Sequence, residues 1–386
     1  MGRETTTLPE TSPPLTTPIS TPPTTTTTEA LPWLTFREKF LLWDLYQTPA
    51  VGHDQAEFHT DNDNFLIYRC DTGRMSLCGG WGDRLKGVMV TYMLANLTGR
   101  TFKAEFLNPH CDMTRYLVPN KVNWSLPIPS VFPTNDSEFR ILRYVDDHAF
   151  KNNIEATNLS AIIEERYKYV YFIANLENLS GLSRSKLYAQ QLAWTQGLSP
   201  ADIYAAVYKR MFKLAPRLQM KLQRILFGAL PTKKHRLVCI HVRMGRNPSI
   251  ADDTEVRNSV GNLPNIWKFV NKRSSSEYDK VFVMSDSDEV LQSAKQQTFK
   301  DRLVTIPGDI VHVDKTGERS QSVMCGGFEK LVMEHHMLMN CDVLIRGHSG
   351  LSVLASAIRG SDRDLYCLMD NGQIIPCSRN NFQAIL

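Results

Sequence analysis

The chain has 386 residues, 42% hydrophobic and 22% charged, with a formal net charge of +4. That length and apolar content suit two domains of ordinary size, and the mild charge, with no basic run interleaved with aromatics, argues against a nucleic-acid partner. Eight cysteines without a CxxC pair argue against zinc clusters, thioredoxin-like chemistry and a disulfide-dense scaffold.

Residues 5–28 are mostly Thr, Pro and Ser. Such a segment cannot form a core and stays extended, either as an O-glycosylated stalk or as an ordinary disordered tail. An amphipathic helix is expected over residues 33–46, joining this segment to the first domain. Residues 65–69 read as a short strand. Gly79, Gly80 and Gly82 follow, and a helix starts near Asp83, where Leu85, Val88, Met89, Tyr92, Met93 and Leu97 recur at helical spacing. Residues 101–106 alternate as a strand does. A strand, a glycine-rich turn, a helix and a strand form the opening unit of a parallel α/β domain. Five Asn-X-Ser/Thr sequons start at Asn96, Asn123, Asn135, Asn158 and Asn178 and favour a secretory chain.

Further strands are expected over residues 140–146 and 168–173. Residues 202–227 are strongly helical, with Pro216 set to kink or divide them. The turn at 228–234 is taken as the domain boundary. The second half repeats the rhythm: strand 236–243, helix from 266, strand 280–284, strand 303–306, helix 328–339, strand 343–345, helix 349–358 and strand 366–368. Short, continuously apolar strands alternating with helices argue a parallel sheet covered on both faces. The expected organisation is a stalk over 1–33, a Rossmann-like domain over 34–230 and a second over 231–386. Cys70 with Cys78, and Cys367 with Cys377, are close enough in sequence to be bridged, whereas Cys239 reads as a buried free thiol.

Three segments carry candidate chemistry. His241-Val242-Arg243-Met244-Gly245 ends a strand, the edge where open α/β sheets bind ligands. Arg243 offers a planar fork of donors suited to phosphate oxygens and to the charge on a departing diphosphate, with a structural salt bridge as the competing reading. Arg346-Gly347-His348-Ser349-Gly350-Leu351-Ser352 places small residues, and the hydroxyls of Ser349 and Ser352, at a helix start. Cys78-Gly79-Gly80-Trp81-Gly82-Asp83-Arg84 has glycines that could bring backbone close to a ligand in an interdomain cleft, although Asp83 equally suits a helix cap. Asp286 and Asp288 follow a strand. They are candidates for the nucleotide, a cap, or a divalent ion on a diphosphate, with arginine neutralisation without metal favoured. His335-His336 lies in an apolar helix and reads as structural.

These segments resemble the fucosyltransferase superfamily that groups α1,2-, α1,6- and protein O-fucosyltransferases. His241 to Arg243 looks like that family's His-Val-Arg nucleotide-sugar motif. Gly80 to Arg84 resembles its first-domain motif, and Asp286 and the turn at 348–352 resemble its later ones. The resemblance implies a GT-B fold, two facing Rossmann-like domains with the active site in the cleft. The first domain would hold a glycan or glycoprotein acceptor and the second GDP-fucose. Transfer would be inverting, without an obligatory metal. Arg243 and Asp83 are the implied catalytic residues. His241, Arg243, Gly245, Asp286, Arg346, Gly347, His348, Ser349, Gly350, Ser352, Gly80 and Gly82 are the implied donor-site residues. Met244 stands where the family often has a second arginine, and Arg246 where it often has an aspartate. A different nucleotide sugar, or an inactive lumenal glycan-binding module, therefore remain alternatives. Relatives are usually type II membrane proteins, so a membrane anchor is expected in a longer form, with the catalytic part in the lumen of the Golgi or endoplasmic reticulum. No apolar run here approaches the ~20 residues a membrane span needs.

Overall fold

Two parallel sheets organise the chain. The computed structural model describes residues 64–70, 78–125, 138–245, 256–315 and 319–381. The Thr/Pro segment, the 33–46 helix, the Asn135 sequon and Arg246 lie outside them. In chain order the strands are β1 Phe65–Cys70, β2 Thr101–Phe106, β3 Leu117–Pro119, β4 Phe139–Tyr144, β5 Tyr169–Ala174, β6 Phe212–Leu214, β7 Arg236–Val242, β8 Asp279–Ser285, β9 Leu303–Val304, β10 Val343–Arg346, β11 Leu365–Leu368 and β12 Ile374–Pro376. The α-helices are α1 Trp81–Leu97, α2 His148–Asn153, α3 Leu159–Ile163, α4 Leu179–Leu182, α5 Pro200–Met211, α6 Pro216–Ala229, α7 Leu263–Arg273, α8 Asp288–Ala294, α9 Gln321–Met339 and α10 Gly350–Arg359. Among the described residues no helix is long and apolar enough to cross a membrane.

The first sheet has the order β2-β1-β5-β4 and the second β12-β11-β10-β7-β8-β9. Every pairing in the first sheet is parallel, and in the second only β12 runs antiparallel. The second sheet is built outward from β7, first through β8 to β9, then back through β10 to β11. That order leaves a switch point between β7 and β10, where the connections diverge and a crevice opens at the strand ends. β7 can sit at the centre because residues Leu237 to Val242 are all buried, as a strand covered on both faces requires. Val238, Ile240, Val242, Ile266, Trp267, Val281 and Ile345 form the core beneath that crevice.

Pro216 divides the long helical pattern. It occupies the first turn of α6, and β6 lies between α5 and α6, since proline fits a helix start and breaks an interior. The β3–β6 pair and β12 are elements the sequence pattern does not announce, and the strand expected over 303–306 shortens to two residues.

All eight cysteines are paired. Cys70–Cys78 and Cys367–Cys377 close local loops. Cys239 is not a free thiol: it bonds Cys341, with Cα atoms 5.9 Å apart. Cys239 lies in β7 and Cys341 just before β10, so the pairing follows from strand adjacency across a separation of 102 residues. Cys111–Cys325 ties the loop after β2 to the start of α9. Phe328 of α9 then meets Trp81 at 4.9 Å and Tyr116 at 5.0 Å, both edge-on. The C-terminal segment returns to the first half, where Arg379 pairs with Asp202 at 2.7 Å and Asn380 accepts from the Ala201 amide at 3.1 Å.

Candidate active site

The β7 end is shaped by one carboxylate. Asp286, just past β8, accepts from the Met244 amide at 2.7 Å and the Gly245 amide at 2.9 Å, and pairs with the Arg243 guanidinium. Gly245 has φ 71°, the left-handed region that favours glycine. Arg257 and Asn258 close the turn from the other side, with the Arg257 amide donating to Met244 O at 2.8 Å and Asn258 Nδ2 to Arg243 O at 3.2 Å. Arg243 is thus held at the strand end, its side chain 18% exposed. Asp288 lies in the first turn of α8 and is exposed, whereas Asp286 is turned onto the β7 end. Among the described residues no three His, Cys, Asp or Glu side chains gather where they could hold a metal ion.

Across the switch point, β10 passes so close to β7 that a Cβ on Gly347 would lie 2.5 Å from His241 O. Glycine is required there by close approach. His241 is 4% exposed, and burial lowers its imidazole to about 4, so it is neutral at physiological pH. His348, next along the turn, meets Asp370 at 3.0 Å and lies within 3.4 Å of Arg257.

Two residues of this turn depart from expectation. Arg346 does not face the crevice. It is fully buried and donates to Cys367 Sγ at 3.2 Å, Ser356 Oγ at 3.1 Å, Ser378 O at 3.2 Å and Asn381 O at 3.0 Å. Burial lowers its guanidinium to about 10. Its role is to fasten the C-terminal segment beneath β10. Ser352 also turns inward, fully buried, donating to Gly347 O at 3.1 Å. Ser349 sits at the N-cap of α10 without a side-chain capping bond.

The start of α1 meets this turn directly. A Cβ on Gly82 would fall 2.4 Å from the Leu351 amide nitrogen. Gly82 therefore serves helix-to-helix contact rather than approach to a ligand. Asp83 Oδ2 accepts from the Gly80 amide at 2.9 Å and Oδ1 pairs with Lys86 at 2.8 Å. The same Oδ1 is 3.3 Å from where a Gly350 Cβ would be, and the side chain is 35% exposed. Asp83 is both a helix cap and a carboxylate at the junction of the two halves.

Arg84 ends the glycine-turn motif read from the sequence, which gave it no role of its own. It is 1% exposed and reaches four acceptors: Gly79 O at 3.2 Å, Val313 O at 3.2 Å, Asn108 O and the carboxylate of Asp314. This fixes the loop after β9 against the glycine turn, with His312 Nε2 3.7 Å from where a Gly80 Cβ would lie. The place of Arg84 directly after the glycine turn was the available signal. Nothing near Asp314 marks it in sequence.

No family model matches the chain, and no curated protein matches it. Solved structures do. A mutant of Arabidopsis thaliana FUT1 in complex with GDP superposes with a TM-score of 0.53 at 13% identity, over 86% of this chain and 75% of that one. The fold is GT-B. Fucosyltransferase NodZ from Bradyrhizobium superposes with a TM-score of 0.45 at 16% identity, over 81% of this chain and 97% of that one. In GT-B terms, the first sheet's glycine turn and the second sheet's switch point meet where α1 and α10 begin.

Proposed function

We propose that the protein is an inverting glycosyltransferase that moves fucose from GDP-fucose to a hydroxyl of a glycan or glycoprotein in the lumen of the Golgi or endoplasmic reticulum. The observation that carries this reading is Arg243, fixed by Asp286 at the β7 end, beside the glycine turn of β10 at the switch point. The GDP bound to the Arabidopsis neighbour and the four disulfides support it, since disulfides persist in oxidising compartments. Residues 231–386 would bind donor and residues 34–230 acceptor.

In this reading the guanidinium of Arg243 meets the β-phosphate. The acceptor oxygen forms its bond to the anomeric carbon as that carbon's bond to the diphosphate oxygen breaks, and GDP leaves with the electron pair. Arg243 interacts more strongly as this charge develops, which lowers the barrier. Asp83, the carboxylate at the junction, takes the acceptor proton. Gly245, Gly347, His348, Ser349 and Gly350 would line the donor's path, while Asp286 positions Arg243 and its turn and His241 keeps its implied donor-site role beside Gly347.

A calorimetric screen of nucleotides followed by transfer assays on a glycan array tests the reading. GDP binding without UDP binding, and fucose transfer to at least one acceptor, is the expected result. Tight UDP binding, or GDP binding with no transfer on a broad array, would overturn it.

A further inference from the structure

Three of the sequons differ sharply in environment, while Asn96 is part-buried in the last turn of α1 and Asn135 lies outside the described residues. Asn123 and Asn158 are exposed, whereas Asn178 is 1% exposed. Asn178 Nδ2, the atom that would carry a sugar, donates to Leu176 O at 3.3 Å inside the turn between β5 and α4. An oligosaccharide there has no path to solvent and is incompatible with the fold. At Asn158 the local chemistry is the opposite. Its Oδ1 accepts from the Ala161 amide at 3.4 Å to cap α3, and no described bond uses Nδ2. A glycan on Nδ2 leaves the cap oxygen in place. Its sequon hydroxyl, Ser160, is also exposed. At Asn123 the backbone carbonyl accepts from Lys103 at 2.9 Å and the following Trp124 is buried, donating to Met211 O at 2.9 Å. Both flanks are anchored while the Asn123 side chain faces solvent.

From these environments we propose that Asn123 and Asn158 are N-glycosylation sites and that Asn178 is not. The inference rests on the lumenal reading and is independent of the transfer chemistry. The co-reactant is a lipid diphosphate-linked oligosaccharide, supplied with its transferase by the host. The Asn amide nitrogen bonds the sugar's anomeric carbon, the carbon–oxygen bond to the lipid diphosphate breaks, and the amide proton passes to a base of that transferase. Both sites lie in the first half, so the described surface of the second half, which contains no sequon, stays free of N-glycans.

The test is the full chain expressed behind a cleavable secretion signal in a glycosylating host. Glycans are released with N-glycosidase in heavy-oxygen water and the labelled aspartates mapped by peptide mass spectrometry. Label at positions 123 and 158 and none at 178 is expected, and Asn123→Gln and Asn158→Gln should each remove one glycan-sized mass increment while Asn178→Gln removes none. Label at 178 in folded, secreted protein overturns the inference. So does bare Asn123 or Asn158 in a protein glycosylated elsewhere, and that outcome leaves the lumenal reading standing. A secreted, disulfide-bonded protein with no N-glycan at all overturns both.

Discussion

Replacing Arg243 by alanine removes a guanidinium and leaves the backbone of β7 intact. If it clamps the leaving diphosphate, transfer falls by roughly two to three orders of magnitude, about 3–4 kcal/mol. Arg243→Lys restores little, because a point ammonium cannot span two phosphate oxygens as a fork does. Transfer above about a tenth of the wild-type rate in a folded Arg243→Ala protein would contradict the assignment. Asp83→Asn separates the cap from the proposed role as proton acceptor. The amide oxygen can still accept from the Gly80 amide, so the cap survives while the proposed proton acceptor is lost. The rate should fall by about 10²–10⁴-fold with GDP affinity unchanged; an unchanged rate would leave Asp83 as a cap only. Arg84→Ala acts on stability instead. It strips Asp314 of its partner in a pair only 1% and 2% exposed, a loss of about 3–5 kcal/mol. Denaturant titration reads that difference.

At the scale of elements, α1 and α10 touch through glycine. Gly82→Ala forces a Cβ against backbone and should cost about 1–3 kcal/mol. Gly326→Ala, in α9 with nothing within 4 Å of the new Cβ, should stabilise by about 0.4–1 kcal/mol. Thermal melts of the two variants should therefore move in opposite directions. α9 also concentrates buried titratable groups. Burial lowers His336 to about 4 and holds His335 well below 6.5, and His241 in β7 is lowered similarly. Each folded-state value lies below the unfolded one, so their contribution is complete above pH 6.5 and is lost as pH falls toward 4. Burial raises Glu334 to about 7 and raises Asp314, which works in the other sense: the folded state favours their protonated forms as pH falls. His335 and Asp314 oppose one another, and the two imidazoles lowered to about 4 outweigh the one carboxyl raised to about 7 between pH 7 and pH 5, so the melting temperature should be lower at pH 5 than at pH 7. A flat or rising profile would contradict this. Most of these elements are legible in the sequence, because buried parallel strands and amphipathic helices carry strong local patterns. The switch-point strand β7 and the glycine turn of β10 were among them. What was hidden depends on tertiary proximity. Arg346 looks like a ligand residue at a strand end until the carbonyls of 378 and 381 are seen beneath it. Cys239 looks like a free thiol until β10 is placed beside β7.

In the whole molecule, the two sheets lie within one unit spanning Thr48–Leu386. Cys111–Cys325 joins the first half to α9 across 214 residues of sequence. A Cys111→Ser, Cys325→Ser double variant should lose roughly 2–5 kcal/mol of stability, read from equilibrium unfolding. Under the proposed division the donor side lies wholly after residue 230, with the acceptor side reaching it at the α1–α10 contact. A crystal structure with GDP soaked in tests this most directly. The diphosphate is predicted within hydrogen-bond distance of Arg243, between the β7 end and the Gly347–Ser349 turn. GDP bound anywhere else in the chain would contradict it.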